Sequence, residues 1–120
     1  MAYLRKEKEI VEVDYPIDKV WTAIQRAVIA LDWTIEVNDE PNHNVKAKTK
    51  TALMSYSSIL SINAVAVADN TTRVNVSAET TVTTLTAIVD FGRTRERIDS
   101  FLAELSEQLI PDNGKSEGPE

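Results

Sequence analysis

Few side chains in this sequence have the type and spacing that acid–base or nucleophilic chemistry requires. The chain contains no cysteine, which excludes disulfides, thiolate catalysis and cysteine-ligated zinc or iron–sulfur sites. His43 is the only histidine, and it has no carboxylates at the spacing of a metal site. We interpret it as a solvated turn residue. The sequence therefore predicts a protein that is not an enzyme and that carries no metal or cofactor.

Three arginines at alternate positions are the most unusual local feature: Arg93, Arg95 and Arg97. They fall in the first turns of a predicted helix, where each exposed cation opposes the helix macrodipole and costs about 0.3–1 kcal/mol. Arg95 can reduce this cost by pairing with Asp99 four residues later. We favour a salt-bridged surface. The alternative is that Arg93, Arg95 and Arg97 contact an anionic ligand or partner.

Three lysines also alternate, on one face of a predicted strand: Lys46, Lys48 and Lys50. They could contact an anionic partner. Exposed lysines on a sheet also protect it against strand-to-strand aggregation. We favour this second interpretation, in which the lysine face is solvated.

The overall composition limits the classes of function. A length of 120 residues is typical of one domain. The net charge of −6 weighs against general nucleic-acid binding, because that affinity comes largely from neutralising phosphates. The N-terminal residues lack the apolar segment of a signal peptide, and no apolar run approaches the ~20 residues of a membrane span. We therefore expect a cytoplasmic protein without a membrane span.

The first elements follow from the spacing of apolar residues. Alternation over residues 9–15 predicts a strand, which Pro16 ends. Apolar residues then recur every three or four positions as far as Leu31, and this spacing predicts an amphipathic helix. Alternating segments that begin at Trp33 and Val45 predict a hairpin with a polar turn between its strands.

The second half of the chain predicts a longer hairpin and a final helix. Residues 55–68 are rich in β-forming residues, and a second alternating strand begins at Thr72. Where this last strand ends is left open. The final helix begins near Asp90, a suitable N-cap, and stops before Pro111. Residues 111–120 are polar and contain glycine and proline, which predicts a disordered tail.

The element order is therefore β-α-β-β-β-β-α over residues 1–110. A single antiparallel sheet with two helices packed on one face buries the apolar side of every element. The fold class is α+β, in one domain. We expect the first helix to carry the chain from one edge of the sheet to the other.

Two stretches of the sequence resemble known domains: YPIDKVWTAI from Tyr15, and LDWTI from Leu31. They are similar to the opening of TATA-binding-protein-like and helix-grip domains, a group that includes the START-type lipid-transfer domains. They also resemble small bacterial lipoprotein domains such as those of lipoprotein C of the outer-membrane β-barrel assembly machine. The resemblance covers the element order of residues 9–109. It implies the fold, brings no catalytic residue, and for the helix-grip group implies an apolar pocket between sheet and helices.

The strand over residues 59–68 is apolar on both faces. Ile59, Val65 and Val67 lie on the side that the two helices leave uncovered. Clustered exposed apolar groups mark an interface, so these residues predict a homodimer or another protein partner. The alternative is a bulge at residues 61–63 that returns Val65 and Val67 to the core and turns Ala64 and Ala66 outward.

Two functions remain compatible with the sequence. The first is a non-enzymatic binding or interaction module that self-associates through the outer face of the sheet. The second is a carrier of a small apolar ligand, of helix-grip type. An enzyme has the least support, because no group of acids, bases and nucleophiles stands out.

Overall fold

The computed structural model describes residues 3–49, 57–82 and 91–110, and it describes side chains within 6–49, 57–81 and 94–110. The elements are β1 (Tyr3–Val13), α1 (Ile17–Ala30), β2 (Thr34–Asp39), β3 (Asn44–Lys48), β4 (Ser58–Ala68), β5 (Thr71–Val82) and α2 (Phe91–Leu109). In this part of the chain the strands form one antiparallel sheet in the order β1-β5-β4-β3-β2. Both helices pack on one face of the sheet, which confirms the predicted α+β architecture.

Helix α1 connects the two edges of the sheet. Strand β1 lies at one edge and β2 at the other, so α1 crosses the sheet between them, as predicted. Its buried side chains recur every three or four residues, and they include Val20, Trp21, Ile24 and Val28. This spacing places a single apolar stripe of the helix against the sheet.

Helix α1 ends in a Schellman motif. The N–H of Trp33 donates to the carbonyl of Val28, and the N–H of Asp32 donates to that of Ile29. Asp32 has a φ of 62°, in the left-handed region. This motif normally uses glycine at that position, because a Cβ is disfavoured there.

We expect Asp32→Gly to be more stable than Asp32→Ala by about 1 kcal/mol. Both substitutions remove the aspartate side chain, so their difference isolates the cost of a Cβ in the left-handed conformation. Urea denaturation followed by circular dichroism measures this difference. An equal free energy of unfolding for the two variants would show that the left-handed conformation is not maintained.

The core lies between the sheet and the helices. Its largest fully buried side chains come from both helices and from the central strands: Phe101, Ile98 and Leu105 from α2, Ile24, Val20 and Val28 from α1, and Leu60, Ile62, Val45, Val74 and Val76 from the sheet. Trp33 lies half-buried at the margin of this core.

Four buried hydroxyl groups link the sheet to α2. The Oγ1 of Thr80 lies within hydrogen-bond distance of the Oγ of Ser58 at 2.5 Å and of the Oγ1 of Thr94 at 2.9 Å. The N–H of Ser58 donates to Thr49 Oγ1 at 2.8 Å. Thr80 is therefore the centre of a buried polar chain that joins β4, β5 and α2.

We expect Thr80→Val to lower the free energy of unfolding by about 1–3 kcal/mol. Valine keeps the shape of threonine but leaves the hydroxyls of Ser58 and Thr94 without their shared partner. Thr81→Val is the control, because Thr81 is the next residue and is exposed. Chemical denaturation of both variants measures the effect, and equal stabilities would contradict it.

Two boundaries and one irregularity differ from the prediction. Strand β1 begins at Tyr3 and not near residue 9, because pairing with β5 continues past its alternating apolar part. The register of β4 is continuous over residues 58–66, so the alternative bulge at 61–63 is wrong. The shift lies between Ala66 and Ala68. The predicted tail over 111–120 and the link over 83–90 lie outside the described residues.

Neither helix in the described part of the chain is long and apolar enough to cross a membrane.

Candidate ligand-binding groove

A groove of about 540 Å³ opens between β1 and the second half of α2. Its apolar lining is Val11, Val13, Leu102, Leu105, Leu109 and Ile110. Its polar lining is Asp14, Tyr15 and Ser106. The volume lies in the range of about 300–1,000 Å³ that is typical of sites for small molecules.

One wall of the groove comes from a strand and the other from a helix, so their lining residues recur at different spacings in the sequence. Alternation along β1 turns Val11 and Val13 toward the helices. On α2 the residues Leu102, Leu105 and Leu109 follow at three- and four-residue steps, and this places them along one stripe. Because β1 is an edge strand, the described sheet does not extend beyond it. The groove is therefore open on that side.

Burial of the lining residues changes from the floor of the groove to its rim. Leu105 and Leu109 are buried and form the floor. Val11 and Leu102 are half-buried and form the walls. Ile110 is 52% exposed and lies at the rim. The groove thus leaves apolar side chains partly in contact with water, and an apolar molecule placed there would remove them from it.

Polar groups lie at one end of the groove, where β1 leads into α1. The Asp14 carboxylate is exposed, and Tyr15 is half-buried. The Lys19 ammonium lies 5.0 Å from the centroid of the Tyr15 ring, a cation–π distance. The carbonyl of Tyr15 accepts a hydrogen bond of 2.8 Å from Thr72 Oγ1, which fixes the backbone at this point. These groups can orient the polar end of a ligand.

An ion pair holds α2 against β1 beyond the groove. The Arg95 guanidinium donates to Glu9 Oε1 at 2.7 Å and to Asp99 Oδ1 at 3.1 Å. The hydrogen bond with Glu9 is the main cause that raises the pKa of Arg95 above its ordinary value. The predicted pairing of Arg95 with Asp99 is confirmed. The link from Arg95 to Glu9, which joins residues 86 positions apart, was not predicted.

The structure separates the three arginines that the sequence grouped. Arg95 is bound by two carboxylates. Arg97 also has an interaction partner. The side chain of Arg93 lies outside the described residues. Anion binding by this trio stays a prediction, and the pairing of Arg95 does not favour it.

Of the predicted interface residues, Ile59 and Val65 lie on the outer face of the sheet, whereas Val67 falls at the register shift between Ala66 and Ala68 and lines a pocket with Ile17 at the start of α1. The three residues do not form one continuous patch. Val65 and Val67 are each 41% exposed, near the end of β4, whereas Ile59 is half-buried near its start. Ile59 and Val65 are six positions apart along the strand, a distance of about 20 Å. Polar Ser61 and Asn63 occupy the same face between them. Their role as an interface stays a prediction.

His43 lies in the turn between β2 and β3, as the sequence predicted, but it is not fully solvated. It is half-buried, and its ring lies 5.2 Å from that of Trp21 with an interplanar angle of 80°. This is an edge-to-face aromatic contact. No group of three histidine, aspartate or glutamate side chains that could hold a metal ion occurs in the described regions.

The resemblance to helix-grip domains implied an apolar pocket between sheet and helices, but the position of this groove and its lining residues were not predicted from the sequence. The apolar faces of β1 and α2 were recognised, but each was assigned entirely to the core. A signal was present in Leu109 and Ile110, because the apolar residues of α2 continue to the end of the helix. At that end α2 faces β1, an edge strand of the described sheet.

Comparison with solved structures identifies the class of fold. The structure matches norcoclaurine synthase from Thalictrum flavum, a point mutant in complex with a transition-state analogue, with a TM-score of 0.68 at 11% identity over 95% of this chain and 99% of that chain. It matches the ZhuI aromatase/cyclase of Streptomyces sp. R1128 with a TM-score of 0.66 at 12% identity over 93% and 98%. A Thermobifida fusca protein solved by NMR matches with a TM-score of 0.60 at 15% identity over 94% and 95%.

These structures support a helix-grip fold, as the resemblance implied. The likeness to the barrel-assembly lipoprotein domains finds no support among them, and the TATA-binding-protein-like relationship is not confirmed. No protein-family model matches the sequence, and no curated protein is similar to it. At identities this low, the comparisons establish the fold alone.

Proposed function

We propose that this protein binds a small, mostly apolar molecule in the groove between β1 and α2. The observation that carries the proposal is a cavity of about 540 Å³ with a buried leucine floor and half-buried apolar walls. Each 100 Å² of apolar surface that a ligand covers contributes about 2.5 kcal/mol. This gain offsets the loss of translational and rotational freedom on association.

The polar end of the groove defines the other half of the ligand. Asp14 can accept hydrogen bonds, and the hydroxyls of Tyr15 and Ser106 can donate or accept them. A suitable ligand is therefore an apolar body, such as an aromatic ring or short alkyl group, with one hydrogen-bonding end.

Two of the similar structures are enzymes by name, a synthase and an aromatase/cyclase. Catalysis in this groove would require a proton donor or acceptor beside the reacting atoms. The described lining offers one exposed carboxylate, one phenol and one serine hydroxyl, with no hydrogen bond among them that would activate a nucleophile. We therefore propose binding without turnover.

Filling the groove tests the proposal. We expect Ser106→Phe to weaken binding of the apolar fluorescent probe 1-anilinonaphthalene-8-sulfonate at least tenfold, because the added ring occupies the cavity. Ser100→Phe is the matched control, since Ser100 is an exposed serine of the same helix that does not line the groove. Fluorescence titration gives both dissociation constants.

Three outcomes of this titration would contradict the proposal. They are no saturable probe binding to the unmodified protein, equal weakening by both substitutions, and equal affinity of the Ser106 variant and the unmodified protein. Chemical shifts of the Val11 and Leu102 methyl groups, recorded with the probe, locate the binding independently. Shifts confined to the outer face of the sheet would also contradict it.

Self-association is a second proposal, favoured by the exposure of Val65 and Val67 at the end of the β4–β5 hairpin. We expect Val65→Lys to lower the weight-average molar mass toward that of one chain, with the fold intact by circular dichroism. Light scattering across a concentration series measures it. A single-chain mass for the unmodified protein at millimolar concentration would exclude the dimer.

A further inference from the structure

A second groove lies on the opposite face of the sheet, away from the helices. Its volume is about 360 Å³, and polar side chains of all five described strands line it. The ones that matter here are Lys8, Lys46, Ser61, Ser77, Asn63 and Asn75. None of them takes part in the groove between β1 and α2.

The register of the sheet places four of these residues in one row. Lys8 on β1 is opposite Ser77 on β5, Ser77 is opposite Ser61 on β4, and Ser61 is opposite Lys46 on β3. Two hydroxyl groups thus lie side by side between two ammonium groups. Three strand spacings separate the backbones of the two lysines, roughly 14 Å, and both side chains line the same groove.

The neighbouring row of residues forms a fixed polar wall. Asn63 Nδ2 donates to Asn44 Oδ1 at 2.6 Å, and Asn75 Nδ2 donates to Asn63 Oδ1 at 3.2 Å. This amide ladder runs across three strands beside the serines. The serine hydroxyls, by contrast, have no hydrogen-bond partner among the described residues, so they can donate to a ligand.

Some charged side chains on this face form ion pairs with other described residues, and others do not. Lys6 pairs with Glu79 at 3.3 Å, and Arg73 pairs with Glu12 at 3.0 Å. Asp39 also lines the groove, opposite Asn44 on β3, and its Oδ2 accepts a hydrogen bond of 2.9 Å from Asn42 Nδ2.

Lys8, Lys46 and Lys48 have no carboxylate partner in the described part of the chain. A protein with a net charge of −6 therefore keeps three unpaired ammonium groups on one sheet face.

We propose that this outer groove binds a small phosphate-bearing molecule. A phosphate monoester carries a charge of about −1.5 to −2 and three acceptor oxygens. That charge matches the ammonium groups of Lys8 and Lys46, and the oxygens match the hydroxyls of Ser61 and Ser77. The exposed Val37 at the edge of the groove gives the organic part of the molecule an apolar contact.

Titration of the unmodified protein with phenyl phosphate, followed by backbone amide NMR, tests this site. We expect saturable shifts centred on Ser61 and Ser77. The double substitution Lys8→Met with Lys46→Met should weaken binding at least tenfold. Arg26→Gln is the control for the loss of one positive charge, half of the change in the double variant, because Arg26 is exposed on α1, which packs on the opposite face of the sheet. It should leave the affinity unchanged.

Further probes separate the possible sources of the binding. Inorganic phosphate that competes with phenyl phosphate supports recognition of the phosphate group. Benzoate that binds as tightly as phenyl phosphate overturns the phosphate assignment. Equal weakening by Arg26→Gln, or no outer-face shifts at 10 mM phenyl phosphate, overturns the site. Ser106→Phe should leave this binding intact, so the two grooves are tested independently.

Discussion

Trp21→Ala is expected to lower the free energy of unfolding by about 3–5 kcal/mol, a large part of the stability of a domain of this size. Trp21 lies on the sheet-facing stripe of α1 and is 6% exposed. Its ring also meets that of His43 edge to face. The substitution therefore removes contacts with the core and with the turn between β2 and β3.

Trp21→Phe is the control for this prediction, and we expect it to cost clearly less. Phenylalanine retains most of the apolar contact. The indole N–H of Trp21 is buried and has no hydrogen-bond acceptor within the described residues, so its removal relieves a polar group that is costly to bury.

Urea denaturation followed by circular dichroism compares the two variants with the unmodified protein. A loss below about 1 kcal/mol for Trp21→Ala would show that the α1 stripe does not anchor the core.

The architecture could be predicted because the apolar periods in this chain are clear. Val20, Trp21 and Ile24 repeat with the period of a helix, and the strands alternate on either side of short polar turns. A sheet with one helical side follows once every apolar face must be buried. The start of β1 could not be predicted in this way, since Lys6 and Lys8 carry no apolar signal and depend on pairing with β5.

The two grooves depend on strand register and on the position of the sheet edge, which the composition and the spacing of apolar residues do not reveal. The outer row of lysines and serines exists only in one register, because a slip of one residue would turn Ser61 to the other face. The groove between β1 and α2 depends on where the sheet ends. Because β1 is the edge strand, Leu102 stays partly uncovered while Leu105 is buried. The partial burial of His43 was not predicted for a similar reason, because its contact with Trp21 joins the turn between β2 and β3 to α1.

Substitutions at two adjacent residues of α2 should affect stability and ligand binding differently, and this is the second large effect that we expect. Phe101 is fully buried, whereas its neighbour Leu102 is half-buried and lines the groove between β1 and α2. Phe101→Ala should lower the free energy of unfolding by about 3–5 kcal/mol, because the deleted ring leaves a cavity in a packed core. Leu102→Ala should cost about 1 kcal/mol, since much less apolar area returns to water.

The order of effects should reverse for ligand binding. Leu102→Ala removes a wall of the groove and should weaken binding of 1-anilinonaphthalene-8-sulfonate about fivefold or more. Phe101→Ala, measured at a temperature where the variant is folded, should leave the affinity within about twofold, because Phe101 does not line the groove. Denaturation curves and probe titrations on the same two variants give all four values. If Leu102→Ala weakened binding no more than Phe101→Ala, the groove between β1 and α2 would not be the binding site, even if both stability changes were as expected.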